Sequence, residues 1–275
     1  MQTNNMKLET FTLRLAGGFA STVLLLLPIG VLLLVVGYPG STFAQDSQPK
    51  TFSSPEEAAH SLFEAAQRQD EPALEAILGA GKEVTSSSDE VEDKLEREQF
   101  AKKYQEMHRL VREADGSTVL YIGAENWPFP IPLVATNAKW RFDSESGSQE
   151  IRAREVGENE TVAIEVCQAI AKATGPNAEN ASADDAGLGF ARKLLKSENA
   201  NSTTSEPFYG YYFRVSKQEA GATLVVAYPA EYRSSGVMTF VLSGETVFEK
   251  DLGPQTATAA EKIQGKPSGR WSRVH

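Results

Sequence analysis

Apolar positions are unevenly spread along this chain. Phe19 to Val36 is almost wholly apolar, and no charged side chain lies between Leu15 and Gln45. Lys7 and Arg14 precede the run, and the small residues around Thr42-Phe43-Ala44 offer a peptidase site before Gln45. The pattern predicts a signal peptide or an N-terminal membrane anchor over residues 1–44. The run exceeds the roughly 7 to 15 residues of a usual signal core and approaches the roughly 20 that span a bilayer. Its positive end lies ahead of it, so either outcome sends the remaining chain across the membrane.

Beyond a short polar tether the pattern turns helical. Ser54-Pro55-Glu56-Glu57 has the residues of a capped first turn, with Glu57 completing a capping box, and Ala58, Ala59, Leu62, Phe63 and Ala66 form one apolar face. A second short helix opens at Asp70 to Pro72, turns Leu74, Ile77 and Leu78 inward and stops at Gly79 or Gly81. The two read as an αα-hairpin. After a polar loop at Thr85 to Ser88, Val91, Leu95, Phe100, Tyr104, Met107 and Val111 recur at near-helical spacing, predicting a long helix up to Asp115-Gly116. Glu90 with Lys94 and Asp93 with Arg97 are spaced as pairs on its solvated face.

Strand chemistry follows. Ser117 to Ile122 is β-prone, the alternating prolines of Trp127 to Pro132 fix an extended segment, and Leu133 to Thr136 with Lys139 to Phe142 form a hairpin pair. A helix is expected from Gln149 to Val156, then a second, capped by Asn159, that carries Cys167. Residues 174–206, rich in Ala, Asn, Ser, Asp and Gly, read as a loop or linker with one short helix at most. Tyr209 to Val215, Ala222 to Tyr228, Gly236 to Leu242 and Glu245 to Lys250 are four strands, the last two joined at Ser243-Gly244. The fold class is therefore α+β. Residues 45–157 form an N-terminal α+β region, a helical hairpin and long helix with a small sheet. Residues 158–253 form a helix packed on a four-stranded antiparallel sheet, and 254–275 a loose tail.

Charge narrows the partners. Lys and Arg number 27 against 37 Asp and Glu, a net charge of −10, and without Lys7, Arg14 and Glu9 of the leader the balance is 25 against 36, or −11. Such a surface gives no electrostatic reason to bind nucleic acid. Cys167 is the only cysteine. It cannot form an internal disulfide, and its place in an apolar helical stripe favours burial as a small hydrophobe.

Several segments carry a resemblance. Glu125-Asn126-Trp127-Pro128-Phe129-Pro130-Ile131-Pro132-Leu133-Val134, Asn159-Glu160, Tyr209 to Arg214, Pro229-Ala230-Glu231-Tyr232, Gly236 to Phe240 and Glu249 to Gly253 occur in that order. Together they resemble the bacterial domain-of-unknown-function family 2950, which implies an exported or periplasmic protein without an assigned activity. Residues 174–206 depart from it by being short. Residues 159–253 are also similar in plan to the globular domain of type IV pilins and pseudopilins. The front part resembles, more weakly, the cone-shaped ketosteroid-isomerase-like fold.

Catalytic patterns are few. The sequence holds no Gly-rich phosphate loop, no H-E-x-x-H and no G-x-S-x-G. Glu57 with His60 is half of a di-iron motif whose second copy is missing, so His60 reads as a solvated side chain. Tyr104 and His108, four residues apart, are the one candidate pair for a cavity enzyme, with a core tyrosine and a rim histidine as the simpler reading. Carboxylates such as Glu231 and Asp251 also suit glycan hydrolysis in principle. No catalytic, cofactor or metal residue is assigned. The candidate binding surface is aromatic: Trp127, Tyr209, Tyr211 and Tyr212. Strand alternation sets Tyr209, Tyr211 and Phe213 on one face and Phe208 with Tyr212 on the other. The expectation is an exported envelope protein, held in the periplasm or anchored in the inner membrane. It acts by binding or assembly on an envelope protein or a cell-wall polysaccharide. The competing reading is a periplasmic hydrolase or lyase with a cavity in the N-terminal region.

Overall fold

The computed structural model describes residues 49–79, 89–174, 186–196, 202–218 and 222–274. The leader and the loop at Thr85 to Ser88 lie outside them, as do residues 175–185 and 197–201. No described helix is long and apolar enough to cross a membrane. The fold is α+β with two antiparallel sheets, and it divides into two units, Met1–Ile151 and Arg152–His275.

In the first unit α1 (Pro55–Gln67) and α2 (Glu71–Leu78) form the expected hairpin. Ser54 Oγ accepts from the Glu57 amide and Asp70 Oδ1 from the Ala73 amide, so each helix starts on a side-chain cap. Gly79 ends α2 at a positive φ of 65°. The Glu57 carboxylate reaches back to the Ser53 amide at 2.8 Å, one residue earlier than the box predicts.

Helix α3 (Glu90–Glu106) is shorter than its periodicity implies. Residues His108–Arg112 are instead strand β1, paired with β2 (Thr118–Ile122). Leu110 and Val111 are worth more in that ladder, opposite Leu120 and Val119, than in another helical turn. Asp115-Gly116 is accordingly the hairpin turn, with Gly116 at φ 90° and Ser117 bonded to Asp115. On α3 Lys94 lies 3.8 Å from Glu98, and Arg97 Nε donates to Gln69 Oε1 at 2.6 Å.

Strands β3 (Trp127–Pro128), β4 (Leu133–Thr136) and β5 (Lys139–Phe142) complete a sheet of order β1-β2-β4-β5, with β3 beside β2. Leu62, Ile77, Phe100 and Tyr104 from the helices pack on Leu120, Ile122, Leu133 and Phe142.

The second unit is organised around the part of α4 (Ser144–Thr174) that follows Ile151. Two helices with a break before Asn159 were expected; there is one. Gly157 is tolerated inside it at a cost of about 1 kcal/mol, and Asn159 is not a cap. Ala163, Val166, Cys167 and Ile170 form its buried stripe, and α5 (Ala186–Lys196) adds Phe190, Ala191 and Leu194 to the same core.

All four predicted C-terminal strands form, as β7 (Tyr211–Lys217), β8 (Thr223–Pro229), β9 (Met238–Ser243) and β10 (Thr246–Asp251). The two-residue strands β6 (Ser202–Thr203) and β11 (Ser272–Arg273) flank them, in the order β11-β10-β9-β8-β7-β6. The β9–β10 loop is Gly244-Glu245, one residue later than expected, because Ser243 still pairs with Thr246.

The tail is not loose. Helix α6 (Thr256–Glu261) buries Ala260 on Leu224, Val226, Tyr228 and Val241, with Ile263 and Trp271 alongside. Both faces of the sheet are thus covered, which explains the unbroken apolar run Leu224 to Tyr228 on β8. The Arg214 guanidinium crosses from β7 to donate to the carbonyls of Ala260 at 2.9 Å and Ile263 at 2.5 Å. A cation at these carbonyls closes the C-terminal end of α6.

Candidate functional site: a clasped loop

The aromatic run begins with a reversal. Phe208 and Tyr211 exchange both backbone hydrogen bonds, at 2.9 and 3.1 Å, around a two-residue loop of Tyr209 (φ 45°) and Gly210 (φ 68°). Positive φ at both positions favours glycine, and a Cβ on Gly210 would meet the Ser235 side chain at 2.7 Å. The strand alternation therefore restarts at Tyr211. Phe208 lies on the same core as Phe213, its ring stacked 3.9 Å from Phe190, and not on the face of Tyr212. Tyr212 packs on the opposite face against the tail's cluster.

Tyr211 is fully buried, so it cannot line a binding surface. Its hydroxyl donates to the Met238 carbonyl at 2.8 Å. Burial pushes the phenol far above its ordinary range, and the neighbouring Glu160 charge adds to the effect. The phenol keeps its proton as a structural donor.

Glu160 and Asn159 act on the same segment. Glu160 Oε1 accepts from the amides of Val237 at 2.8 Å and Met238 at 2.9 Å, and Asn159 Nδ2 donates to the Ser235 carbonyl at 3.0 Å. Gly236 completes the clasp: a Cβ there would lie 2.2 Å from the Tyr211 hydroxyl. Helix α4 and strand β7 thus grip the end of the β8–β9 loop, from Ser235 to Met238, through side-chain to backbone bonds. The loop turns on its own bonds from Ser235 N to Glu231 O and Arg233 N to Gly236 O, with Arg233 at φ 67°. On its outer side Tyr232 donates to Asp251 Oδ2 at 3.1 Å, and the Arg233 guanidinium lies 5.4 Å from the Tyr232 ring centroid.

The residues brought together here are those of the segments at Asn159, Tyr209, Pro229, Gly236 and Glu249. A family model described as a protein of unknown function, DUF2950, matches residues 49–202 and 195–274. The chain belongs to that family. No curated protein and no solved structure matches it.

Within this DUF2950 fold the other sequence candidates are placed separately. Trp127 is half-buried on β3, edge-on to Phe129 at 6.4 Å, in the first unit; the three tyrosines are in the second. Tyr209 and Tyr212 are half-buried. Glu57 is held by Ser53, whose hydroxyl and amide keep its carboxyl below the usual range. His60 lies 3.5 Å from Glu64 on the exposed side of α1.

Tyr104 and His108 do meet, but by stacking. Their rings are 3.9 Å apart at 8°, and Phe63 stacks on the other side of Tyr104 at 4.6 Å. Tyr104 is core, and burial raises its phenol; His108 is exposed at the start of β1, its Nδ1 2.9 Å from the Tyr104 carbonyl. Sequence spacing placed them on one helix, whereas the helix ends between them. Among the described residues no group of three His, Cys, Asp or Glu is arranged to hold a metal.

Sequence reasoning cast Asn159 as a helix cap and missed Glu160, Gly236 and Arg214 as anchors. Only their place in the resembling segments marked all three. Cys167 is fully buried, and burial pushes its thiol up to about 12. The native protein is expected to resist a thiol reagent at pH 8 and to react once unfolded, which a timed thiol titration checks. Because the unfolded thiol ionises from its ordinary value of 9.0, stability should fall as pH rises from there towards about 12.

Proposed function

We propose that this chain is an exported envelope protein that works by binding or assembly and not by turnover. The supporting observation is where its polar groups are spent. Asn159, Glu160 and Tyr211 all bond the backbone of one loop, so they brace a displayed segment and leave no activated nucleophile or acid–base pair there. The apolar run at Phe19 to Val36 supports export, with the body in the periplasm or anchored by that run. A helix laid on an antiparallel meander also supports kinship in plan with pilin-type globular domains. Partners on this reading are an envelope protein or a cell-wall polysaccharide.

Two measurements test it. Alkaline phosphatase fused after Lys50 should be active, as that enzyme is only when exported, and the full chain incubated with purified cell-wall sacculi should release no soluble fragments. An inactive fusion overturns export. Released fragments would establish the hydrolase or lyase reading instead.

A further inference from the structure

Two large apolar side chains stand out in solvent among the described residues, Val91 at 70% exposure and Leu95 at 51%, and both lie on α3. They are four residues apart on the face away from Phe100 and Tyr104, which enter the core. Beside this short apolar ridge runs a second one, Glu90, Lys94, Glu98 and Lys102, all exposed and alternating in sign every four residues. Within one helix that alternation is satisfied only in part: Lys94 and Glu98 approach to 3.8 Å, and both stay more than half exposed.

The order of charges has a property that a merely solvated face does not need. Reversed about its midpoint, the ridge is complementary to itself, with Glu90 opposite Lys102 and Lys94 opposite Glu98. Laid parallel and in register, it would set each charge against its own sign. Rows of residues four apart are the ridges that interlock in the commonest helix packing, where two helices cross at about 50° and these rows run alongside each other. Such a contact about a two-fold axis is isologous, with every pairing made twice.

We propose that α3 is a self-association surface: two copies of this chain pair their α3 helices antiparallel about a two-fold axis near Glu96. Leu95 of both copies is buried beside the axis, and Val91 a little over one helical turn further out. Glu90 of each copy faces Lys102 of the other, and Lys94 faces Glu98. A second copy is the occupant that the charges select, because no independent partner would need this exact reversal symmetry. The contact is small and its rim pairs are exposed, so the association is weak and weakened further by salt. It narrows the assembly half of the function proposed above to one contact, yet rests on the α3 geometry alone, so its failure would leave the export reading standing.

Disulfide trapping tests it, since Cys167 is buried and silent. In the full chain, Leu95→Cys under mild oxidation should give a crosslinked dimer. Gln105→Cys, exposed on the same helix beyond the contact, should give about tenfold less. Adding Lys94→Glu and Lys102→Glu to Leu95→Cys makes the ridge wholly acidic and should reduce trapping about tenfold. Mixing that variant with a Leu95→Cys chain carrying Glu90→Lys and Glu98→Lys should restore it as a mixed dimer. All of these positions are exposed, and circular dichroism checks that each variant folds. Equal trapping at 95 and 105, or trapping indifferent to the charge reversals, overturns the proposal.

Discussion

Phe213→Ala is expected to destabilise the C-terminal unit by about 3–5 kcal/mol, the range for emptying a buried aromatic site. Phe213 is fully buried on β7, and its partner across β8 is the small Ala227, so its ring fills space that no neighbour on the strand can reclaim. It also receives Phe190 of α5 edge-on at 5.3 Å, and Phe190 in turn stacks on Phe208. Removing the ring therefore loosens the docking of α5 as well as leaving a cavity. Urea unfolding followed through Trp271, the tryptophan of that unit, measures the loss, and hydrogen exchange in α5 should accelerate with it. A loss below about 1 kcal/mol would mean that the core collapses around the gap and that this packing account is wrong.

Glu160→Ala should cost about 2–4 kcal/mol, since two backbone donors lose one charged acceptor in a partly buried place. Both amides lose that acceptor, while Asn159, the Tyr211 hydroxyl and the outer bond from Tyr232 to Asp251 still hold the segment. Glu160→Gln keeps an oxygen at the same reach and should retain about half of the stability, separating loss of charge from loss of the acceptor. Exchange at these two amides should rise selectively in Glu160→Ala, ahead of the strand interiors. Uniform exchange across the sheet would instead assign Glu160 a diffuse role in the unit, and no clasp.

The clasp was only half legible beforehand. Asn159-Glu160 and Gly236 stood out as segments of a resemblance, but nothing local tells that a helix residue will serve a loop more than seventy positions later. Local rules even misassigned Asn159, because Asn before an apolar stripe is what a cap looks like. The same limit explains Tyr104 and His108. Their spacing is helical, and whether the helix continues is decided by Leu110 and Val111 finding partners on β2. Tyr211 was offered for a surface because alternation gives two faces without saying which is covered. Helix α4 decides that for Tyr211, whose side chain lies in the core that α4 closes, while α6 of the tail covers the Tyr212 face.

By itself the sequence determined the elements whose signals are local. Capped starts at Ser54 and Asp70, the period of four or fewer along Val166 and Ile170, and the β-prone runs of the four C-terminal strands need only neighbours within a few residues, so α+β and the existence of those strands could be read directly, their starts lying one or two residues later than expected. Tertiary structure alone decided where α3 ends, that α4 runs unbroken, that residues 254–274 pack as a cover, and which polar side chains hold the segment from Ser235 to Met238. Those outcomes depend on contacts between residues far apart in the chain, where burial and backbone pairing outweigh local preference by more than the fraction of a kcal/mol per residue that preference supplies.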